Sequence, residues 1–216
     1  MKHWICFPLM SALIAAASAS AQTPLPVSID GAGTADFLSA VPTDFAPFNA
    51  TGMINFRGES LPYELTSADV GGVMITDPGP PLVADFSNSV PVTFSSTAPG
   101  DGSQISLNYQ GVVTLTPVSA TEFTAEFVAD FTPIAGTGAG LFDGVVGGSF
   151  EMTAVVSQPF VPKLDPSQVD GYSLDIPFTW MTTGGANDVF QVVPEPATAW
   201  LALVGAVAAA RRRRAA

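Results

Sequence analysis

Residues 22–192 contain neither histidine nor cysteine, because His3 and Cys6 both lie ahead of them. That inventory excludes a Ser-His-Asp triad, a Cys-His pair, a zinc site with His or Cys ligands, and any disulfide. The carboxylates are the side chains left with chemistry to offer. Two of them could cleave a glycosidic bond if they stood about 5–9 Å apart with separated pKa values, and several could hold Ca2+ through oxygen alone. Glu122 and Glu126 share one face of the run Glu122–Phe131. At about 3.3 Å per residue they stand roughly 13 Å apart, too far for such a pair. They read as a solvated face, and Glu151 as one more surface charge. Asp175 is flanked by apolar residues within Tyr172–Trp180 and is expected to be partly buried, with backbone amides on its oxygens. Asp77-Pro78-Gly79, Pro99-Gly100-Asp101-Gly102 and Asp165-Pro166 read as turns, in which Asp bonds nearby backbone and Gly supplies positive φ. No Asp-x-Asp-x-Asp-Gly pattern occurs. No catalytic residue, metal ligand or cofactor is therefore assigned, and structural Ca2+ is left as the one ion these loops could take.

Two further motifs invite a ligand. Gly136-Thr137-Gly138-Ala139-Gly140 has the glycine density of a phosphate loop, but a strand pattern follows it where a helix N-terminus would be needed, and no Lys is near. Trp180, Tyr172, Phe178, Tyr63 and Tyr109 could stack on pyranose rings if displayed. Trp180 and Phe178 lie two residues apart on one strand face, so they are buried or displayed together, and core packing is the expectation.

The elements that must position these residues are strands. Between Glu122 and Phe131 the odd positions are apolar and every even one but Val128 is polar, so one face is buried. Ile105, Leu107 and Tyr109 alternate in the same way, as do Val146, Phe150, Met152, Ala154 and Val156. Residues 111–116 pair with 122–131 as a hairpin through Pro117–Ala120. Further strands are expected at 52–57, 61–66, 70–76, 90–95, 172–180 and 189–192. About ten short strands with no sustained helical period imply an all-β domain: a single antiparallel β-barrel, with a β-sandwich as the alternative. The segment Gly138-Ala139-Gly140-Leu141-Phe142-Asp143-Gly144-Val145-Val146-Gly147 resembles the Gly-x-Gly-x-Phe-x-Gly-x-x-Gly turn of allene oxide cyclase and dirigent-like barrels, with Ala139 where that family usually has Thr. The resemblance implies a barrel corner turned by Gly138, Gly140, Gly144 and Gly147, with Phe142 plugging the core; it implies no cyclase activity.

Both ends of the chain read as addresses. Lys2, the apolar stretch from Trp4 to Ala17, and Ala19-Ser20-Ala21 before Gln22 form a secretory signal peptide with cleavage after Ala21, leaving Thr23-Pro24-Leu25-Pro26 as a proline-rich lead. At the other end, Val193 precedes Pro194-Glu195-Pro196, an uncharged run from Ala197 to Ala210, and Arg211-Arg212-Arg213-Arg214. The prolines keep the first part extended, and four permanent charges hold the terminus on the cytoplasmic side of a membrane. Fourteen residues make about 21 Å of helix against about 30 Å of hydrocarbon, so insertion is marginal and relies on snorkelling arginines. This order of parts resembles the PEP-CTERM sorting signal of exported bacterial proteins. The resemblance implies the secretion machinery and an exosortase as partners, transient residence in the inner membrane, and delivery to the cell surface or outside, in bacteria that make exopolysaccharide.

The expected layout is thus a signal peptide over 1–21 with its helix, an all-β extracytoplasmic domain over 22–192, and a sorting signal with a transmembrane helix over 193–216. Of 7 basic residues only Arg57 and Lys163 fall in the body, and of 19 acidic residues only Glu195 falls outside it. Eighteen acids against two bases, a net charge of about −16, repel phosphate backbones and exclude nucleic acid as a partner. Exopolysaccharide remains available as one. The functional expectation is a non-enzymatic surface or matrix protein; the alternatives are a carbohydrate- or calcium-binding module, or a carboxylate-dependent polysaccharide hydrolase or lyase.

Overall fold

Apolar residues at alternate positions build eleven strands among the residues described by the computed structural model, which are 22–36, 48–67, 73–163 and 169–193. They are β1 (Thr23–Ala35), β2 (Phe48–Phe56), β3 (Glu59–Ser67), β4 (Val73–Asp77), β5 (Leu82–Ser87), β6 (Val92–Ser96), β7 (Gln104–Pro117), β8 (Phe123–Pro133), β9 (Val145–Phe160), β10 (Ile176–Thr182) and β11 (Val189–Val192). Antiparallel pairing runs from β1 to β2, β3, β6, β7, β8, β9 and β10, and β10 pairs back onto β1. Eight strands therefore close a ring, which is a barrel rather than a sandwich. β11 shares with β10 the slot between β9 and β1. β6 pairs with residues 104–107 of β7, and the β4–β5 hairpin joins the barrel through residues 110–115 of the same strand.

The inward faces meet in an aromatic core. Phe131 and Phe150 stack with centroids 5.3 Å apart, Phe94 stacks on Trp180 at 6.0 Å, and Phe56 stacks on Phe142 at 5.8 Å. Such pairs contribute about 0.5–1.5 kcal/mol each beyond the burial itself. With no disulfide available, this packing holds the fold. The hairpin of β7 and β8 has the expected register, Pro117 opposite Phe123 and Tyr109 opposite Phe131, and Val128 is partly exposed on its outer face.

Three strand expectations change. Thr23-Pro24-Leu25-Pro26 is not a free lead but the start of β1, where proline costs no interior ladder bond. β5 was hidden by the proline-rich run Pro78–Pro81 just before it, although Ala84 and Phe86 turn inward from it. In β9 the inward residue near the start is Val145, not Val146: the alternation changes parity before Phe150, and Gly148 adopts φ 102° between them. The signal-peptide and transmembrane helices lie outside the described residues, among which no helix is long and apolar enough to cross a membrane.

Candidate functional site

The barrel interior is closed at one end by the glycine-rich turn. A 3-10 turn at Gly140–Phe142 drops Phe142 into the core, 2% exposed, against Phe56 and Phe190. Gly138 is required because a Cβ there would strike the Phe142 carbonyl oxygen, and Gly140 because it combines φ 60° with a close approach to Ser103 Oγ. Gly144 also has positive φ, at 75°, whereas Gly147 has only the Gln191 Cβ at 4.0 Å. Ser103 Oγ donates to Asp101 Oδ1 and accepts from the Leu141 amide, tying the turn to β7. Hydrogen bonds from Ser103, then Ser96, hold the Asp101 carboxyl below its ordinary range.

Arg57, one of two cations in the body, clamps the same turn. Its guanidinium donates to the carbonyls of Leu141 at 3.0 Å and Asp143 at 2.8 Å and lies 5.2 Å from the centroid of the Phe56 ring. Nothing local in the sequence marks this role, since Arg57 and Asp143 are 86 positions apart. Lys163, the other cation, stands 5.1 Å from the Tyr172 ring centroid.

Across the middle of the barrel, Trp180 Nε1 donates to Tyr63 Oη at 2.7 Å, and Tyr63 Oη donates to the Asp30 carbonyl at 3.2 Å. Burial pushes the Tyr63 phenol well above its usual value, and the charge of Asp30 adds to this against the opposing bond from Trp180. Beyond this layer, at the end marked by Ala35 and Phe48, the interior holds a cavity of about 60 Å³. Phe48, Phe86, Phe127, Phe178, Trp180 and Ala154 are among its walls, and among the described residues every lining side chain is aliphatic, thioether or aromatic, Tyr109 bringing one hydroxyl. Trp180 and Phe178 are buried together, as are Tyr63 and Tyr109, so these four form the core rather than a displayed sugar platform.

The carboxylates stay outside that space. Glu122 and Glu126 are exposed and Glu151 is half-buried, directly opposite Asp130 on β8. Asp175 is not buried: it is exposed at φ 51°, and its amide donates to Asp36 Oδ1 at 2.7 Å. The buried carboxylate is Asp188, 5% exposed, which sequence reasoning missed. Its Oδ1 accepts from the Glu151 amide at 2.9 Å and its Oδ2 from the Gly185 amide at 2.8 Å, while its carbonyl accepts from Val27. It ties the loop between β10 and β11 to β9 and β1. Asp77 and Asp101 accept from the amides of Gly79 and Ser103 two residues on, as turns do; Asp165 lies outside the described residues. Among the described residues no group of three potential ligands converges on a point that could hold a metal.

β11 ends at Val192, and the sorting tail follows without a break. Residues 192–214 match the PEP-CTERM protein-sorting motif. This chain carries a PEP-CTERM signal. The signal marks an exported protein that is sorted by an exosortase, a membrane protein, through membrane-associated handling to the surface or the exterior. Val193 lies at the edge of the description; Pro194, Glu195, Pro196 and Arg211–Arg214 lie outside it, as do Ala19 and Ala21 of the signal-peptide site. No curated protein and no solved structure is similar enough to the chain to count as a match.

Proposed function

We propose that this PEP-CTERM protein is a non-enzymatic component of the bacterial surface or extracellular matrix, an acidic barrel whose role begins after the exosortase has handled its tail. The motif at residues 192–214 carries this reading, because it fixes a destination independently of any chemistry in the body. The interior supports it: the described walls of the cavity hold no carboxylate, amine or thiol, with the Tyr109 phenol their one ionisable group, and the cross-strand carboxylates Asp130 and Glu151 belong to the outer face of the sheet. Eighteen acids on such a body favour solubility outside the cell.

The test is fractionation of the native host carrying wild type or Pro194-Glu195-Pro196 replaced by three alanines. The variant is expected to keep its full length and to stay in the inner membrane, while wild type reaches the surface or the medium. Equal processing and release of both would overturn the proposal.

A further inference from the structure

The geometry points to the open-ended cavity of the barrel as a binding site for the terminal carbons of a straight aliphatic chain whose head group is uncharged or cationic. Three observations on different scales lead there. The first is the wall. Phe48, Phe86, Phe127, Phe178 and Trp180, with Ala35 and Ala154 between them, give it apolar faces: the Trp180 N–H is taken by Tyr63, and Tyr109 brings the one hydroxyl among the described lining residues. A sugar in this space would leave most of its hydroxyls without a partner, whereas an alkyl chain loses nothing on entering. The second is the size. A volume of about 60 Å³ is well under half of the ~150 Å³ apolar cavity known to take benzene, so a slim chain end fits where a ring does not. Water gains few hydrogen bonds against such walls, which leaves the space available to an apolar guest.

The third is the charge around the rim. Asp36 follows the lining residue Ala35 at the end of β1, and the amide of Asp175 donates to Asp36 Oδ1 at 2.7 Å, so two carboxylate-bearing residues meet beside the opening. The body carries eighteen acids and two bases, and neither base lines the cavity. A carboxylate or phosphate head held at this rim would be repelled, and a neutral or ammonium head would not. The inference goes beyond the sorting role and does not depend on it.

The full chain carrying W4F and W200F has Trp180, a wall of the cavity, as its only indole. It is titrated with ω-bromo n-alkanols of increasing length and with matched trimethylammonium and carboxylate amphiphiles below their micelle concentrations. The expected result is saturable quenching of Trp180. Affinity should rise about fourfold per added methylene until the cavity is full and then level off, and the carboxylate series should bind more weakly at low salt. Ala154→Leu fills the space and should lower affinity at least about tenfold while keeping or raising the melting temperature; Ala35→Leu serves the same purpose if Ala154→Leu does not fold. Quenching that never saturates, or that is unchanged in a folded filled variant, would overturn the site. Equal or tighter binding of the carboxylate series would overturn the assignment of the head group.

Discussion

Tyr63→Phe removes one oxygen from the centre of the barrel and should be felt twice, once at neutral and once at alkaline pH. The hydroxyl accepts from Trp180 Nε1 at 2.7 Å and donates to the Asp30 carbonyl at 3.2 Å, linking β10, β3 and β1. The pair fits only because β1 has Gly31 there: a Cβ would lie 2.6 Å from Tyr63 Oη and 2.9 Å from Trp180 Nε1. With phenylalanine the buried indole N–H loses its acceptor, which costs about 1–3 kcal/mol at pH 7. The second effect is linkage. Because burial raises the phenol in the folded state, the wild-type contribution is fully present below the ordinary phenol value of about 10 and is lost as pH rises beyond it, by at most about 1.4 kcal/mol per pH unit. Tyr63→Phe has no such proton to lose. Urea unfolding of both proteins at pH 7, 9, 10 and 11 should therefore show a stability gap that is constant up to pH 9 and narrows above 10. Parallel alkaline profiles, or a gap under about 0.5 kcal/mol at pH 7, would refute the role given to this hydroxyl.

Phe142→Ala empties the plug at the closed end and should cost about 3–5 kcal/mol by urea denaturation, with a loss of near-ultraviolet circular dichroism from the Phe56 and Phe190 cluster. Asp188→Ala should cost about 1–3 kcal/mol for each of the two amides it strands, at Glu151 and Gly185, and hydrogen exchange at those two amides should accelerate. Glu151→Gln should do the opposite. Glu151 faces Asp130 across the β8–β9 ladder, so removing one of two like charges should stabilise by about 0.2–1 kcal/mol in low salt, and the gain should shrink as salt rises.

The separation of charge from core explains how such a body stands without covalent staples. Among the described residues all the acids but a few lie on outward positions, where water solvates them, and the inward positions carry stacked rings. The cost of a net charge of about −16 is borne by surface repulsion, which salt screens, while the aromatic stack is indifferent to salt. That is also why the outer face offers the less specific chemistry. Its carboxylates are spread over β1, β3, β5, β8 and β9 with no third ligand brought beside any pair among the described residues.

What the sequence made legible follows the range of the physics involved. Period-two alternation is local, and it located β3, β7, β8 and the hairpin register directly, because burying one face of a strand is decided by neighbours two residues away. The tight turn and the buried Phe142 were implied instead by the resemblance of the glycine-rich segment to the turn of allene oxide cyclase and dirigent-like barrels. Parity in β9 failed at Gly148, where a single positive φ inverts which face is inward and leaves no trace in the pattern of apolar residues. The carboxylates failed for a reason of longer range. Asp175 has apolar neighbours in sequence yet faces solvent, and Asp188, between Asn187 and Val189 after a Gly-Gly turn, is buried because the amide of Glu151, 37 positions earlier, is brought to its side chain by the closing of the barrel. A carboxylate's burial is set by which unpaired amides come within reach, and those amides are supplied by strand pairing rather than by the flanking residues. The closing pair, β10 on β1, joins residues about 150 positions apart and brings the cavity walls Ala35 and Phe178 together, while Asp188 is held by Glu151 of β9 and Val27 of β1, also distant in sequence.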